Sequence, residues 1–143
     1  MKINKPLYYI LNILWGFPMT LLGAIAAFFL IITGHKPKRW GGVVYFTVGE
    51  NWGGMELGLF FIVDKKEYYS TKCHEYGHSM QNALLGIFYP IVVAIPSAIR
   101  YWIFVFRERA GKENPDYDSI WFEGQATRWG TTTINQWKYN GKN

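Results

Sequence analysis

The chain has 143 residues, half of them hydrophobic, and a net charge of +5, which bounds it to one small domain and at most an appendage. A single cysteine excludes an internal disulfide, and basic residues scattered without a recognition helix or base-stacking motif exclude a nucleic-acid partner. Seven Trp and ten Tyr point instead to a lipid bilayer, because a ring with a polar handle suits the membrane–water interface and the positive charge suits anionic lipid.

Residues 7–33 carry no charged side chain. As a helix they reach about 40 Å, more than the roughly 30 Å of a hydrocarbon core. Lys2 and Lys5 stand before the run and Lys36, Lys38 and Arg39 after it, with Tyr8, Tyr9, Trp15 and Trp40 placed as interfacial anchors. Gly16 and Pro18 predict a kink. A secretory signal fits less well, since the run is longer than such apolar regions and Ala24-Ile25-Ala26 is followed by more apolar chain. The chain is expected to divide into a membrane-embedded segment, residues 1–34, and a domain over residues 35–143. Most remaining Lys and Arg follow the run, which favours that domain on the cytoplasmic side of a bacterial-type inner or plasma membrane.

Residues 42–64 change character. The β-formers at 43–48 and 59–63 are separated by the turn-rich Gly49-Glu50-Asn51-Trp52-Gly53-Gly54, which predicts a β-hairpin. An edge strand there can take up an extended peptide by strand addition; equally, the hairpin covers the core or rests on the membrane.

Ser70 or Thr71 can cap the next helix, expected from Cys73 to about Tyr89. It carries His74-Glu75-Tyr76-Gly77-His78, an H-E-x-x-H pattern that takes two of the chain's three histidines. Residues four apart on a helix share a face, so His74 and His78 offer two imidazole nitrogens to one ion. Glu75, about 100° round the helix, reaches a water beside that ion without ligating it. The set suits zinc-assisted peptide hydrolysis: neutral imidazole ligands, a general base and an open coordination position. Cys73 falls on a different helical face and reads as packing.

Pro90 and Pro96 break the uncharged run that follows, residues 107–118 form a polar connection, and Asp118 or Ser119 can cap a last helix to about Gly130. The last dozen residues read as a tail. On that last helix Glu123, Ala126, Thr127 and Gly130 share one face. A catalytic zinc usually takes three protein ligands. Of the later acids, Glu108, Glu113, Asp116, Asp118 and Glu123, only Glu123 sits among apolar and small neighbours, so it is the expected third ligand. Asn114-Pro115-Asp116 resembles the second motif of site-2-type intramembrane proteases, which implies Asp116 as a lesser candidate. Arg128, Tyr117 and Tyr76 are available to steady a developing oxyanion.

His74-Glu75-Tyr76-Gly77-His78 followed by Glu123-Gly124-Gln125-Ala126 resembles the gluzincins, zinc metallopeptidases with a Glu third ligand. The likeness is strongest to the membrane-bound group of HtpX-like proteases and CaaX prenyl endopeptidases, whose second motif is E-x-x-A-D. It implies Zn²⁺ as cofactor, His74, His78 and Glu123 as its ligands, and Glu75 as the residue that activates water. Thr127 stands where the group has an Asp that steadies a histidine ligand from behind.

If residues 84–106 crossed the bilayer, His78 and Glu123 would emerge about 30 Å apart and could not share an ion. That run is therefore expected to fold back as a helical hairpin, broken at the prolines and returning from about Ser97. The charged residues Asp64, Lys65, Lys66, Glu67 and Lys72 before the motif keep the zinc near the interface. The expected fold is α+β and mostly helical: an N-terminal transmembrane helix, then a minimal zincin-like domain with a β-hairpin, the H-E-x-x-H helix, a helical hairpin and a C-terminal helix carrying Glu123. The expected function is a membrane-anchored zinc metalloprotease that hydrolyses a membrane or membrane-proximal protein or peptide, with Glu75 as general base. A non-catalytic membrane protein with a structural zinc site, or a small membrane-binding protein without metal, are the other two readings.

Overall fold

The computed structural model describes residues 3–140, so Lys2 and residues 141–143 lie outside it. The chain is a mixed α+β fold in which helices pack on a four-stranded sheet. Its strands are β1 (Lys38–Trp40), β2 (Val43–Thr47), β3 (Gly54–Leu57) and β4 (Phe60–Val63), ordered β1-β2-β4-β3. Gly41 and Gly42 both take positive φ, at 62° and 90°, and so make the tight turn that joins β1 to β2. The predicted hairpin is absent. The two strands it joined, β2 and β4, pair in parallel from Val44↔Phe60 to Thr47↔Val63. The connection after β2 passes β4's position and comes back as β3, which pairs antiparallel with β4. β-propensity marks where strands are but not which way they run, and the short β3 was hidden beside its turn. From β2 and β4, Val43, Tyr45, Phe61 and Val63 enter one core cluster with Tyr76 and Met80.

Those last two residues belong to α3 (Tyr69–Leu85), the helix around which everything else is placed. It starts at Tyr69 with Tyr68 as its N-cap, so Ser70 and Thr71 lie inside the first turn rather than capping it. It ends four residues before Tyr89, because Gly86 turns the chain at φ 58°. The Trp15 indole packs so closely on Gly86 that any Cβ would collide with it. Across α3 lies α5 (Trp121–Asn140), ten residues longer than expected at its end, for the residues read as a tail are helical through Asn140. Ile134 is buried, Thr133 donates to the Met80 sulfur, and Trp137 packs edge-on against Tyr76. Tertiary contact thus holds Thr131-Thr132-Thr133 in a helix against its weak intrinsic preference.

The N-terminal run is bent, not straight. α1 (Lys5–Ile10) continues through a π-helical turn at Leu11–Trp15, and α2 (Phe17–Ile32) leaves at 88° to it. The kink expected at Gly16 and Pro18 is there, but the single transmembrane helix is not. Asn82 explains the elbow: its amide donates to Asn12 Oδ1 (2.8 Å) and to the Gly16 carbonyl (3.2 Å), and a Cβ on Gly16 would strike it. Tyr8, bonded to Ser79 Oγ at 2.6 Å, is wholly buried, and Trp40 packs on Phe61, Tyr69 and Tyr76. Tyr8 is therefore not placed as an interfacial anchor, and Trp40 is half-buried.

Among the described residues the one helix long and apolar enough to span a membrane is Pro90–Arg109, a π-helical turn (Pro90–Ala94) running into α4 (Ile95–Arg109). Pro90 and Pro96 each sit in the first turn of their segment, where a missing N–H costs little. The break therefore falls at Gly86 and not at the prolines. The helical hairpin expected over 84–106 is replaced by this one helix, and the chain returns from it through residues 110–120, which hold only a short 3₁₀ turn at Tyr117–Ser119.

Candidate metal centre

His74 and His78 project from one face of α3 toward Glu123, which enters from the first turn of α5. His74 Nε2, His78 Nε2 and Glu123 Oε2 stand at the corners of a triangle with all three sides 3.0 Å. Tetrahedral ligand atoms held about 2.0 Å from a zinc ion lie about 3.3 Å apart, so the triangle is slightly tight for one face of such a site. His78 and Glu123 are buried, and His74 is the most exposed corner, at 16 % of its side chain.

The hydrogen-bond partners fix both imidazole tautomers. Gln81 Nε2 donates to the Phe122 carbonyl (2.8 Å), which can only accept, so Gln81 Oε1 faces His78 Nδ1 at 2.8 Å. His78 Nδ1 must then carry its proton, leaving the Nε2 lone pair for the triangle. The Thr127 hydroxyl donates to Asp118 Oδ1 (3.1 Å), so at His74 Nδ1 (2.8 Å) it accepts. His74 likewise turns an Nε2 lone pair inward. The charge absent from position 127 is thus supplied one atom further on by Asp118, through the threonine. Thr127→Val should break this chain and weaken zinc binding by about ten- to a hundredfold in a chelator competition, whereas Thr127→Ser should keep wild-type affinity.

Three acceptors this close repel one another unless a proton or a metal cation lies between them. In the metal-free protein burial works against Glu123 ionising, but the contacts with His74 and His78, through a proton shared within the triangle, outweigh it and hold its carboxyl far below the usual range. Burial likewise opposes a charge on His74, yet Glu123 and Glu75 raise its pKa overall. Glu123 Oε1, also buried, has no hydrogen bond. An orphaned carboxylate oxygen beside converging imidazole lone pairs fits a cation, and two nitrogens with one carboxylate favour zinc over calcium or magnesium, which seek oxygen.

Glu75 is 5 % exposed, and its carboxylate lies against the backbone of Gly54 on β3, where a Cβ would come within 2.6 Å of Oε1. Burial raises its pKa first, Glu123 adds to the rise, and the two histidines pull it back. β3 is an edge strand of the sheet, paired on one side only with β4, and α3 and α2 pack against it at Gly54 and Leu57. A second buried acid, Glu56, stands two residues along β3, with its carboxylate accepting from the Gly58 N–H. Burial drives Glu56 well above its ordinary 4.5, against the pull of Tyr89 and the Gly58 backbone, and Glu75 adds to the rise. An acid whose pKa rises on folding holds its proton more tightly in the fold. Stability is therefore lost as pH climbs from 4.5 toward the raised value. Glu56→Gln should remove that loss and stabilise the protein at neutral pH by on the order of 1 kcal/mol in denaturant unfolding.

Tyr117 is near the centre, its ring 6.1 Å from that of His74, with Ser97 of α4 close to both it and Glu123. Arg128 is exposed, with its guanidinium near Gly124, and no contact brings it to the triangle. Tyr76 lies in the core against Tyr8, and Asp116 caps the 3₁₀ turn by accepting from Asp118 N–H. Cys73 packs in the core, as expected. Sequence reading missed Gln81, Asp118 and Ser97 as supports of the centre. Gln81 is three residues after His78, a spacing that shares its helix face and is the one signal that could have found it. Compared with known protein families, curated proteins and solved structures, the chain matches none, and the chemistry rests on these residues.

Proposed function

We propose that this chain is a membrane-anchored zinc metallopeptidase of gluzincin type. The observation that carries the reading is the 3.0 Å triangle of His74, His78 and Glu123 with the buried Glu75 carboxylate beside it and the edge strand β3 alongside. Zinc, when bound, supplies a Lewis acid and brings water's pKa toward neutrality. Glu75 takes the proton from the attacking water and hands it to the leaving amine. An extended peptide added to β3 would run past Gly54 and so past Glu75. Tyr117 is the hydroxyl best placed to donate to the developing oxyanion. Gln81 and the Thr127–Asp118 pair hold the imidazoles in one tautomer throughout.

The membrane reading is supported by the exposed apolar side chains of α2 and of Pro90–Arg109, and the lysine- and arginine-rich remainder favours the cytoplasmic side. Metal analysis of purified protein tests the centre: wild type should hold stoichiometric zinc, and His78→Ala and Glu123→Ala should lose it. A metal-free wild type would overturn the proposal, and tightly held zinc without hydrolysis of any peptide would leave only a structural site.

A further inference from the structure

The helix Pro90–Arg109 is long and apolar enough to cross a bilayer, but its two sides differ. At about 100° per residue, Ile91, Ile95, Ile99, Trp102, Ile103 and Phe106 fall within an arc of about 120°. All six are exposed. Ser97, Arg100 and Phe104 fall on the other side, and Arg107 borders the stripe beside Ile103.

The Arg100 side is clothed by the chain's own return. Arg100 Nη2 donates to the carbonyls of Asp116 (3.0 Å) and Tyr117 (3.1 Å) and to Ser119 Oγ (2.9 Å). Asn114 Nδ2 donates to the Phe104 carbonyl (3.1 Å), and Arg107 Nε donates to Asn114 Oδ1 (3.0 Å). Residues 113–119 therefore run back along α4 from Arg107 to Arg100, and they carry Glu113, Asp116 and Asp118. If α4 crossed the bilayer, this irregular backbone and its three carboxylates would be drawn into hydrocarbon with it. Irregular backbone facing lipid finds no partners for its N–H and C=O groups there. An apolar stripe backed by a polar, cationic side is the pattern of a helix lying in the interface.

We propose that α4 lies along the surface of the bilayer and does not cross it, with the Ile91-to-Phe106 stripe in the acyl boundary and the Arg100 side in water. Arg107, Arg109 and Lys112 close the stripe at headgroup level, which matches anionic lipid and would crowd like charges in a contact between two copies. The apolar surface also continues onto α2, since Met19 and Ala26 share a packing cluster with Tyr89, Val93 and Ala94. The inference rests on the membrane part of the proposed function and narrows its substrate. Ser97, on the water side of α4, stands beside Glu123 and Tyr117, so the metal centre sits on that side at headgroup level. The peptide it takes is then an extended juxtamembrane segment, not a transmembrane helix.

Nitroxide labels on the full-length protein test this, in a Cys73→Ala background shown to keep its zinc, bound to vesicles of phosphatidylcholine and phosphatidylglycerol. Single cysteines replace Ile99, Ile103 and Phe106 on the stripe, and Tyr101 and Glu108 off it. Oxygen collisions should dominate at all three stripe positions and collisions with a water-soluble nickel chelate at the other two. In sealed membranes from expressing cells, Lys66→Cys and Lys112→Cys should react with an impermeant maleimide from the same side. Labels at Ile99, Tyr101 and Ile103 that are all deep, or reaction of Lys66→Cys and Lys112→Cys from opposite sides, mean a crossing helix and overturn the inference while leaving membrane anchoring intact. Stripe labels that neither reagent reaches mean a second copy covers the face, and also overturn it. Failure to bind vesicles at all removes the membrane reading with it, and the zinc content of the same samples reports separately on the metal centre.

Discussion

Replacing Gly77 with alanine should destabilise the protein by about 3 kcal/mol and weaken the zinc binding proposed above. α3 and α5 meet at two glycines: a Cβ on Gly77 would run into the carbonyl of Ala126, and one on Gly130 into the carbonyl of Cys73. Both obstacles are backbone, so no side chain can rotate aside and the helices must part. The contact lies one residue from His78 on α3 and one turn from Glu123 on α5, so parting the helices opens the triangle from both sides. Zinc affinity should fall at least as far as when a supporting hydrogen bond is lost, about ten- to a hundredfold. Gly130→Ala should behave the same way. Gly111→Ala is the control: it has positive φ but nothing within 4 Å of its would-be Cβ, so it should cost about 1 kcal/mol and leave zinc untouched. A Gly77→Ala protein with the wild-type unfolding midpoint and full zinc content would show that the helices do not meet as described.

The face that makes this contact was legible in advance. Glu123, Ala126, Thr127 and Gly130 fall on one side of a helix by spacing alone, and the structure turns that side toward α3. His74, Glu75 and His78 were likewise carried by a four-residue period, which survives any arrangement of the rest of the chain. What sequence could not show was pairing over distance. The direction of β4 against β2 depends on where the loop after Thr47 is laid, and no residue in that loop records it. The elbow at Gly16 was foreseeable as a kink, but its right angle comes from Asn82, 66 residues away. Position 127 is the clearest case. Read alone, Thr127 is a departure from the gluzincin pattern that removes a charge. Folded, it is the link to Asp118, which the sequence offered as a helix cap and as one of five later acids but not as a partner of Thr127. α5 shows the opposite error, since weak helix formers at 131–133 masked a helix that Ile134 and Trp137 hold in place from the core.

Glu75→Gln should lower peptide hydrolysis by about 10²–10⁴-fold while zinc content and fold stay as in wild type. Glutamine matches the carboxylate in shape, so the close fit against Gly54 survives, and it removes a charge whose burial the protein otherwise has to accommodate. What it cannot do is take a proton. Burial raises the Glu75 carboxyl in the metal-free protein, and a dication in the triangle would pull it back down and keep it ionised as a base. The neighbouring Glu56 makes the comparison sharper, because it too is a buried carboxyl with a raised pKa, yet it is occupied by the Gly58 N–H within its own strand turn. Hydrolysis measured on both variants, each with its zinc content, separates three cases. Loss in Glu75→Gln alone assigns the base to Glu75. Loss in both means the two carboxyls act as a pair, with Glu56 holding the proton that sets the charge on Glu75. Full hydrolysis by a zinc-loaded Glu75→Gln protein would remove Glu75 from the chemistry and leave the triangle of His74, His78 and Glu123 as a metal site without its proposed base.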